Sequence, residues 1–214
     1  IQNRKKELIL SPKIKLMKLN LSEEHLMIQK SARDFAQQEL LPGVIERDEN
    51  QKFPTEEVRK MGQMGFMGMM NSTKYGGGGM DTISYILAME EISKIDASAS
   101  VIMSVNNSLV CWGIEKYGTE EQKQKYLPKL ADGKFIPCFG LTGPHNGSDA
   151  TGDIDTGELV IENSKKIINV EIDKRYITLG PVSNLIGVAF NLKDPYELLD
   201  KGKEGVTLAL IEKN

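Results

Sequence analysis

The sequence predicts an α+β protein in which an all-α N-terminal domain is followed by the beginning of a β-domain. Two observations support this prediction. Before about residue 138, apolar residues recur with helical spacing between capping residues, and after it short β-branched runs alternate with turn residues. The 214 residues, 40% of them hydrophobic, suffice for one or two domains with an apolar core. We expect an extension or remnant over 1–19, a helical domain over 20–136 and a β-domain over 137–214.

The composition argues against several classes of partner. A net charge of -3 leaves no basic surplus, so no nucleic-acid partner is expected. Cys111 and Cys138 lack CxxC spacing, and His25 and His145 lie far from them, which predicts reduced thiols and no structural metal. No apolar run is expected to reach the roughly 20 residues of a membrane helix.

The first 16 residues are basic and apolar but lack an apolar core followed by a small-residue cleavage site. A targeting peptide is conceivable, and a vector, fusion or upstream remnant is the preferred interpretation. Met17 would be a natural start.

The first predicted helix begins after Ser22, a capping residue followed by Glu23 and Glu24, whose carboxylates favour the positive end of the helix dipole. Pro42 and Gly43 end it. Its apolar stripe comprises Ile28, Ala32, Phe35, Ala36 and Leu40.

Four more helices are predicted. Pro54 opens the second, which fades between residues 62 and 68, and the third and fourth cover 82–95 and 97–115. The fourth is small and apolar on most faces and is expected to be buried. Thr119 and Gln122 form a capping box for the fifth, which ends near Asp132. The glycine run 76–79 lacks the Lys-Ser/Thr of a phosphate cradle, so a flexible turn is favoured.

The C-terminal part carries β-branched runs at 159–161, 167–170, 176–178, 185–190 and 206–211. Residues 155–157 and 162–164 are predicted turns between them. The Asp-Thr-Gly at 155–157 also matches the motif of aspartic proteases. Those enzymes need two carboxylates that share a proton, and the sequence has no second such motif, so a turn is favoured.

Residues 138–149, CFGLTGPHNGSD, are the most informative segment. An apolar strand end at Phe139 and Leu141 runs into a loop that contains Thr142, Gly147 and Ser148. Hydroxyls and backbone N–H groups beside apolar side chains suit a flat heteroaromatic ring with a polar edge, or a phosphate. A purely structural turn would explain these residues about as well.

This segment resembles the flavin-binding signature C-x-x-L-T-E-P-x-A-G-S-D of the acyl-CoA dehydrogenase family. The opening helix LSEEHLMIQKSARDFAQQELLP, the helices from YGGGGMDTISY onward and GTEEQKQKYLPKLADGK resemble that family in the same order. The resemblance implies an N-terminal all-α helical domain followed by a partial β-barrel middle domain, truncated relative to the family. Gly143 stands where the family usually has Glu, and Asn146 where it usually has Ala. The middle part, with KRYIT and LIGVAFNLKDP, resembles the bacterial long-chain branch, whereas the helical half resembles the short- and medium-chain enzymes.

The resemblance also implies that the cofactor is FAD and which residues bind it. Leu141 would pack on the isoalloxazine ring, Thr142 would hydrogen-bond its polar edge, and Ser148 would lie near the flavin phosphates and the acyl-CoA substrate. Tyr176 and Thr178, in the place of the family's W-I-T run, would cover the other side of the ring; a β-strand Tyr and Thr selected for packing is the alternative. The full set of implied cofactor-binding residues is Phe139, Leu141, Thr142, Gly147, Ser148, Tyr176, Ile177 and Thr178.

The implied activity is α,β-dehydrogenation of a fatty acyl-CoA to the trans-2-enoyl-CoA in fatty acid β-oxidation, with electrons passed to an acceptor flavoprotein. The family's catalytic base is a Glu of a C-terminal helical domain, and no residue up to Asn214 matches it, so we assign no catalytic residue and expect negligible turnover by this chain alone. The resemblance further implies a homo-oligomer, a bacterial cytoplasmic or mitochondrial matrix location, and exposed apolar surface on the helical half. Acyl-CoA oxidase is an alternative activity. A catalytically inactive fragment or pseudogene product with weak FAD or CoA binding is the alternative of another class.

Overall fold

The structure, a computed structural model, describes residues 20–152 and 154–213, so the extension over 1–19 lies outside the described residues. Helices fill the first part and a five-stranded sheet the second, which confirms the α+β class. The helices are α1 (Glu23–Phe35), α2 (Val44–Glu49), α3 (Thr55–Gln63), α4 (Thr82–Ser93), α5 (Ala97–Ser104), α6 (Trp112–Tyr117) and α7 (Glu120–Ala131). The strands are β1 (Pro137–Gly140), β2 (Thr156–Glu162), β3 (Lys165–Val170), β4 (Leu185–Lys193) and β5 (Gly205–Glu212).

Two of the predicted helix starts are formed by reciprocal caps. Ser22 Oγ accepts from the His25 N–H at 3.1 Å, and the Ser22 N–H donates to His25 Nδ1 at 3.2 Å. Thr119 and Gln122 make the predicted capping box, with distances of 3.2 and 2.8 Å. Each box satisfies two of the backbone donors that a helix start leaves free.

The predicted helix over 97–115 is one continuous helix, Ala97–Tyr117, with a π-helical segment, Val105–Cys111, at its centre. Asn106 and Asn107 lie in that segment with fully buried side chains. Their amides donate to carbonyls of the chain between α3 and α4, of α7 and of α5. Because buried amides need partners, these bonds fix the helix against its neighbours.

By length and composition this helix could also cross a membrane, contrary to the sequence-based expectation. Half of its most apolar window is buried within the protein, as in the core helix of a soluble domain. Its two buried asparagines bond to other parts of the same chain. We therefore interpret it as a core helix.

The helical core is one large apolar cluster that includes Phe35, Met61, Phe66, Ile92 and Met103. Several large apolar side chains of the helical half are nevertheless exposed, as the resemblance implied: Leu26, Met27, Ile83, Ile86, Val101, Leu109 and Trp112. The glycine run 76–79 is packed rather than free, since the Gly78 and Gly79 N–H groups donate to the Gly68 and Asn71 carbonyls.

Strand β4 organises the sheet. It pairs in parallel with β1 near its start and with β2 near its end, and it pairs antiparallel with β5 on its other side. Strands β1 and β2 therefore follow one another along the same edge of β4. The intervening chain, residues 141–155, leaves the sheet opposite Val188 and returns opposite Asn191. At about 3.3 Å per residue, its two ends are only about 10 Å apart.

Two sequence-based predictions are wrong. Tyr176-Ile177-Thr178 is not a strand, because Tyr176 has a left-handed φ of +57° and the chain turns through Gly180, whose N–H donates to the Ile177 carbonyl. Asp155-Thr156-Gly157 is not a turn, because Thr156 and Gly157 already pair with β4. The short helix α2 was not predicted.

A second apolar cluster joins the last helices to the sheet. Leu185 of β4 is fully buried against Val110, Tyr126, Leu127 and Leu130 of the helical half. The chain between α7 and β1 is fixed there as well, since the Asn184 N–H donates to the Ile136 carbonyl and Asn184 Oδ1 accepts from the Ile136 N–H. The start of β1 is thereby set relative to both halves.

A buried ion pair between α1 and α4 yields a stability prediction. Glu91, whose side chain is 3% exposed, accepts from two nitrogens of Arg33 at 2.9 Å and from Lys94 at 3.0 Å. The Arg33 hydrogen bonds hold the pKa of Glu91 at about 2, against the effect of burial. Glu91→Gln should lower the free energy of unfolding by about 2 kcal/mol at neutral pH.

Because the folded-state pKa of Glu91 is lowered, its contribution is present above about pH 4.5 and is lost as the pH falls towards 2. Urea unfolding of both proteins at pH 7 and pH 3 measures this difference, which should shrink at the lower pH. Glu90→Gln, on the same helix but exposed, is the matched control and should change stability little. Equal effects of the two substitutions would contradict the prediction.

Candidate functional site

The loop from residue 141 to 155 protrudes where the sheet edge is interrupted between β1 and β2. Phe139 lies in β1 beside Gly187 of β4, where a β-carbon would come within 3.0 Å of the Phe139 ring. The glycine therefore makes room for this ring. Leu141 and Thr142 follow directly and are half-buried, whereas Gly147 and Ser148 lie in the exposed part of the loop.

The structure brings the second predicted motif next to this loop. The Arg175 N–H donates to the Thr142 carbonyl at 2.9 Å, so Tyr176 follows one residue after a direct contact with the loop. Ile177 is half-buried, Thr178 is exposed, and the Tyr176 side chain is 93% exposed. Thr142 makes this contact, Phe139 and Leu141 shortly precede it in the chain, and Thr178 lies within the turn that follows Tyr176.

A buried ion pair, which the sequence did not indicate, lies under the same contact. Lys174 Nζ is 2.5 Å from Asp155 Oδ2 and donates to the Leu141 carbonyl at 3.2 Å. Burial alone would raise the pKa of Asp155, but the Lys174 ammonium and the Asp173 N–H outweigh it and lower that pKa below its usual value. In the sequence, this ion pair is marked only by the Lys-Arg pair before residues 176–178 and by an aspartate in the predicted turn at 155–157.

The two departures from the family signature contact one another. Asn146 Oδ1 accepts a hydrogen bond from the Gly143 N–H, and Asn146 Nδ2 donates to the Ala150 carbonyl at 3.2 Å. A β-carbon on residue 143 would lie 3.0 Å from Asn146 Oδ1. The glycine therefore leaves room for the asparagine, which holds the loop from within.

The loop and the segment after Lys174 leave polar groups free for a ligand. Within 20–152 and 154–213, the hydroxyls of Thr142, Ser148 and Thr178 make no hydrogen bond to protein. The left-handed φ of Tyr176 is costly for an aromatic residue, and Leu179 shares it at +68°. Such strain is concentrated at functional sites. Thr142, Tyr176 and Thr178 are therefore the candidates for ligand contacts near the bond between Arg175 and Thr142.

A groove of about 930 Å³ adjoins Thr178. It is formed by the chain around α2, the start of α5 and the turn at 178–182, and Phe53, Ser98, Val101 and Val182 contribute to its walls. Its volume is within the range of small-molecule sites. Among the described residues no cluster of His, Cys, Asp and Glu could hold a metal ion.

The contact between Gly143 and Asn146 predicts that substitutions at these positions are not additive. Gly143→Glu and Asn146→Ala should each lower the free energy of unfolding by about 1 kcal/mol, since each removes the Asn146 hydrogen bond. The double variant should lose clearly less than the sum, by about 1 kcal/mol. Chemical denaturation of the four proteins measures the coupling.

Gly147→Glu combined with Asn146→Ala is the matched control, because a β-carbon at residue 147 would meet nothing within 4 Å. That pair should be additive. Additivity in the Gly143 cycle would show that the two positions do not depend on one another.

Comparison with known proteins agrees with the helical fold. Residues 22–134 match the family model for the N-terminal domain of acyl-CoA dehydrogenases. The short-chain-specific acyl-CoA dehydrogenase of Clostridium acetobutylicum is 41% identical over 197 residues, which cover 92% of this chain and 50% of that protein.

Solved structures show the same relation. Butyryl-CoA dehydrogenase from Megasphaera elsdenii superposes with a TM-score of 0.78 at 33% identity, over 92% of this chain and 50% of the other. Acyl-CoA dehydrogenase complexed with FAD from Bacillus anthracis gives 0.77 at 30% identity, over 91% and 32%. The chain spans about half the length of the curated relatives it matches. By sequence and by fold, this chain belongs to the acyl-CoA dehydrogenase family.

Proposed function

We propose that this chain binds FAD against the loop at 139–148 and the segment at 176–178, as part of an acyl-CoA dehydrogenase. The observation that carries the proposal is the meeting of these two segments through the bond between the Arg175 N–H and the Thr142 carbonyl, next in sequence to the exposed Tyr176. Leu141 would pack on the flavin ring and Thr142 would bond its polar edge. Ser148 would lie near the phosphates and the substrate.

Bound FAD supplies the acceptor for the hydride that leaves the β-carbon of an acyl-CoA. The residues of this chain bind and orient the cofactor. The groove beside Thr178 is the proposed place for the acyl part of the substrate, since its walls include apolar side chains of α5 and of the turn after Thr178. A short-chain fatty acyl-CoA is the proposed substrate class, in line with the short-chain-specific relative from Clostridium acetobutylicum. An electron-acceptor flavoprotein is the proposed redox partner.

No carboxylate of this chain is assigned as the base that removes the α-proton. The proposal for the 214 residues alone is therefore flavin binding without turnover. With FAD and butyryl-CoA, dye-linked reduction should stay at the level without protein. Turnover above that level would contradict this part of the proposal, and oxygen consumption in place of dye reduction would favour an acyl-CoA oxidase.

Thr142→Val tests the flavin site. The loss of one hydrogen bond should raise the Kd for FAD by about tenfold, with little change in stability. Quenching of flavin fluorescence measures the Kd. Thr207→Val removes a threonine hydroxyl elsewhere in the sheet, where it bonds the Gly205 carbonyl, and should leave the Kd unchanged. Failure of the unmodified chain to bind FAD would favour the inactive-fragment alternative.

Tyr176→Gly separates binding from folding. Glycine adopts the left-handed conformation of residue 176 without strain, which offsets the added entropy of the unfolded chain, so stability should change by less than about 1 kcal/mol. The Kd for FAD should rise at least about tenfold, because the aromatic ring is lost. Tyr196→Ala removes another exposed tyrosine and is the control for both measurements. A large loss of stability with unchanged FAD affinity would assign Tyr176 to the fold instead.

A further inference from the structure

We propose that Lys174, paired with Asp155, is the positioning residue of the flavin-binding loop: it fixes the Leu141 carbonyl and thereby directs the Thr142 N–H outward, towards a ligand. The part of this inference that concerns FAD rests on the proposed function. The part that concerns the conformation of the loop does not.

The position of the ammonium is defined by an ion pair, by one hydrogen bond and by burial. Lys174 is 7% exposed and Asp155 is 15% exposed at the side chain. A charge this far from water needs compensation, and Asp155 supplies it. The Leu141 carbonyl, which accepts the hydrogen bond from the ammonium, belongs to the loop. Moving the loop away from Lys174 would therefore deprive the buried ammonium of its hydrogen bond to the Leu141 carbonyl.

Residues 173–175 contact both ends of the loop, at 141–142 and at Asp155. The Asp173 N–H donates to Asp155 Oδ1 at 3.2 Å, and the Arg175 N–H donates to the Thr142 carbonyl at 2.9 Å. Lys174, between them, bridges the beginning of the loop and its end. The two ends, where the chain leaves β1 and returns to β2, are thus held by one short stretch of chain.

The absence of a side chain at Gly140 leaves room for the lysine at the end of β1. A β-carbon on residue 140 would lie 3.3 Å from Lys174 Cγ, so Gly140 lets the aliphatic stem pass across the end of β1. The stem packs against the backbone while the ammonium reaches the carboxylate.

Peptide geometry then determines what the loop presents. In a trans peptide the carbonyl and the following N–H point in opposite directions. Because the Leu141 carbonyl points to Lys174, the Thr142 N–H points away from it, and because the Thr142 carbonyl points to Arg175, the Gly143 N–H points away, to Asn146 Oδ1. In the described part of the chain the Thr142 N–H and hydroxyl make no protein hydrogen bond. The contact with Lys174 therefore directs the Thr142 N–H away from the protein groups that hold the loop.

The experiment compares Lys174→Met with Lys166→Met in the full chain. Both remove an ammonium that donates to a backbone carbonyl, but Lys166 bonds the Leu198 carbonyl, outside the loop. Amide hydrogen exchange of a peptide covering 140–150, measured without FAD, reports the conformation of the loop. The Kd for FAD and the visible circular dichroism of bound flavin report its effect on the cofactor.

We expect Lys174→Met to speed exchange in the loop by about tenfold or more, to raise the Kd for FAD by about tenfold, and to change the flavin dichroism. Lys166→Met should do none of these. A variant with both Lys174→Met and Asp155→Leu guards against a folding defect, because no unpaired buried charge remains. It should melt close to the unmodified protein and still show fast loop exchange.

Unchanged loop exchange in both Lys174 variants would overturn the proposal. Faster exchange with unchanged FAD affinity and dichroism would also overturn it, by showing that the loop conformation does not reach the flavin. If the unmodified chain binds no FAD, the proposed function fails, and the exchange measurements still decide whether Lys174 fixes the loop.

Discussion

The candidate site depends on the apolar cluster that joins the last helices to the sheet. Leu185 begins β4, and its burial against α7 and the π-helical segment sets the register from which β1 pairs with β4. Strand β1 is only four residues long, so its end, and the loop that follows, inherit their position from this contact. Two hydrogen bonds between Ile136 and Asn184 also join the chain before β1 to the start of β4. The base of the loop on the interrupted sheet edge is thus held by contacts, although much of its described length is exposed.

In the candidate site, backbone groups are hydrogen-bonded to protein, whereas several side chains are exposed. The carbonyls of Leu141 and Thr142 and the N–H of Gly143 have protein partners, whereas the hydroxyls of Thr142, Ser148 and Thr178 make no hydrogen bond to any described residue. Tyr176 adds backbone strain and an exposed ring that contribute nothing to a packed core. Tyr176 and Leu179 have left-handed backbone just after Arg175, whose N–H bonds the loop, and the Lys174–Asp155 ion pair precedes them. Ligand binding is the simplest physical reason for such an arrangement.

Sequence reasoning worked where the decisive contact is local. Ser22 and Thr119 meet residues three positions ahead, so their caps could be predicted from the sequence. The π-helical segment could not, because Asn106 and Asn107 hold it through carbonyls more than twenty residues away. The β-branched residues at 176–178 suggested a strand, but pairing, not composition, decides a strand, and this segment turns instead. The resemblance singles out this loop, but its contact with Lys174 is not predictable from the sequence, because the paired Asp155 is nineteen residues earlier and lies in a predicted turn.

The contact between Gly143 and Asn146 has a consequence for the way in which this loop can change. A loop with Glu at 143 has little space for an asparagine amide at 146, because the β-carbon and the amide oxygen would be crowded. A loop with Gly at 143 accepts either Ala or Asn at 146. By the coupling predicted above, either change alone from the usual family pattern, Glu at 143 and Ala at 146, gains nothing, because the hydrogen bond forms only when Gly143 and Asn146 are both present.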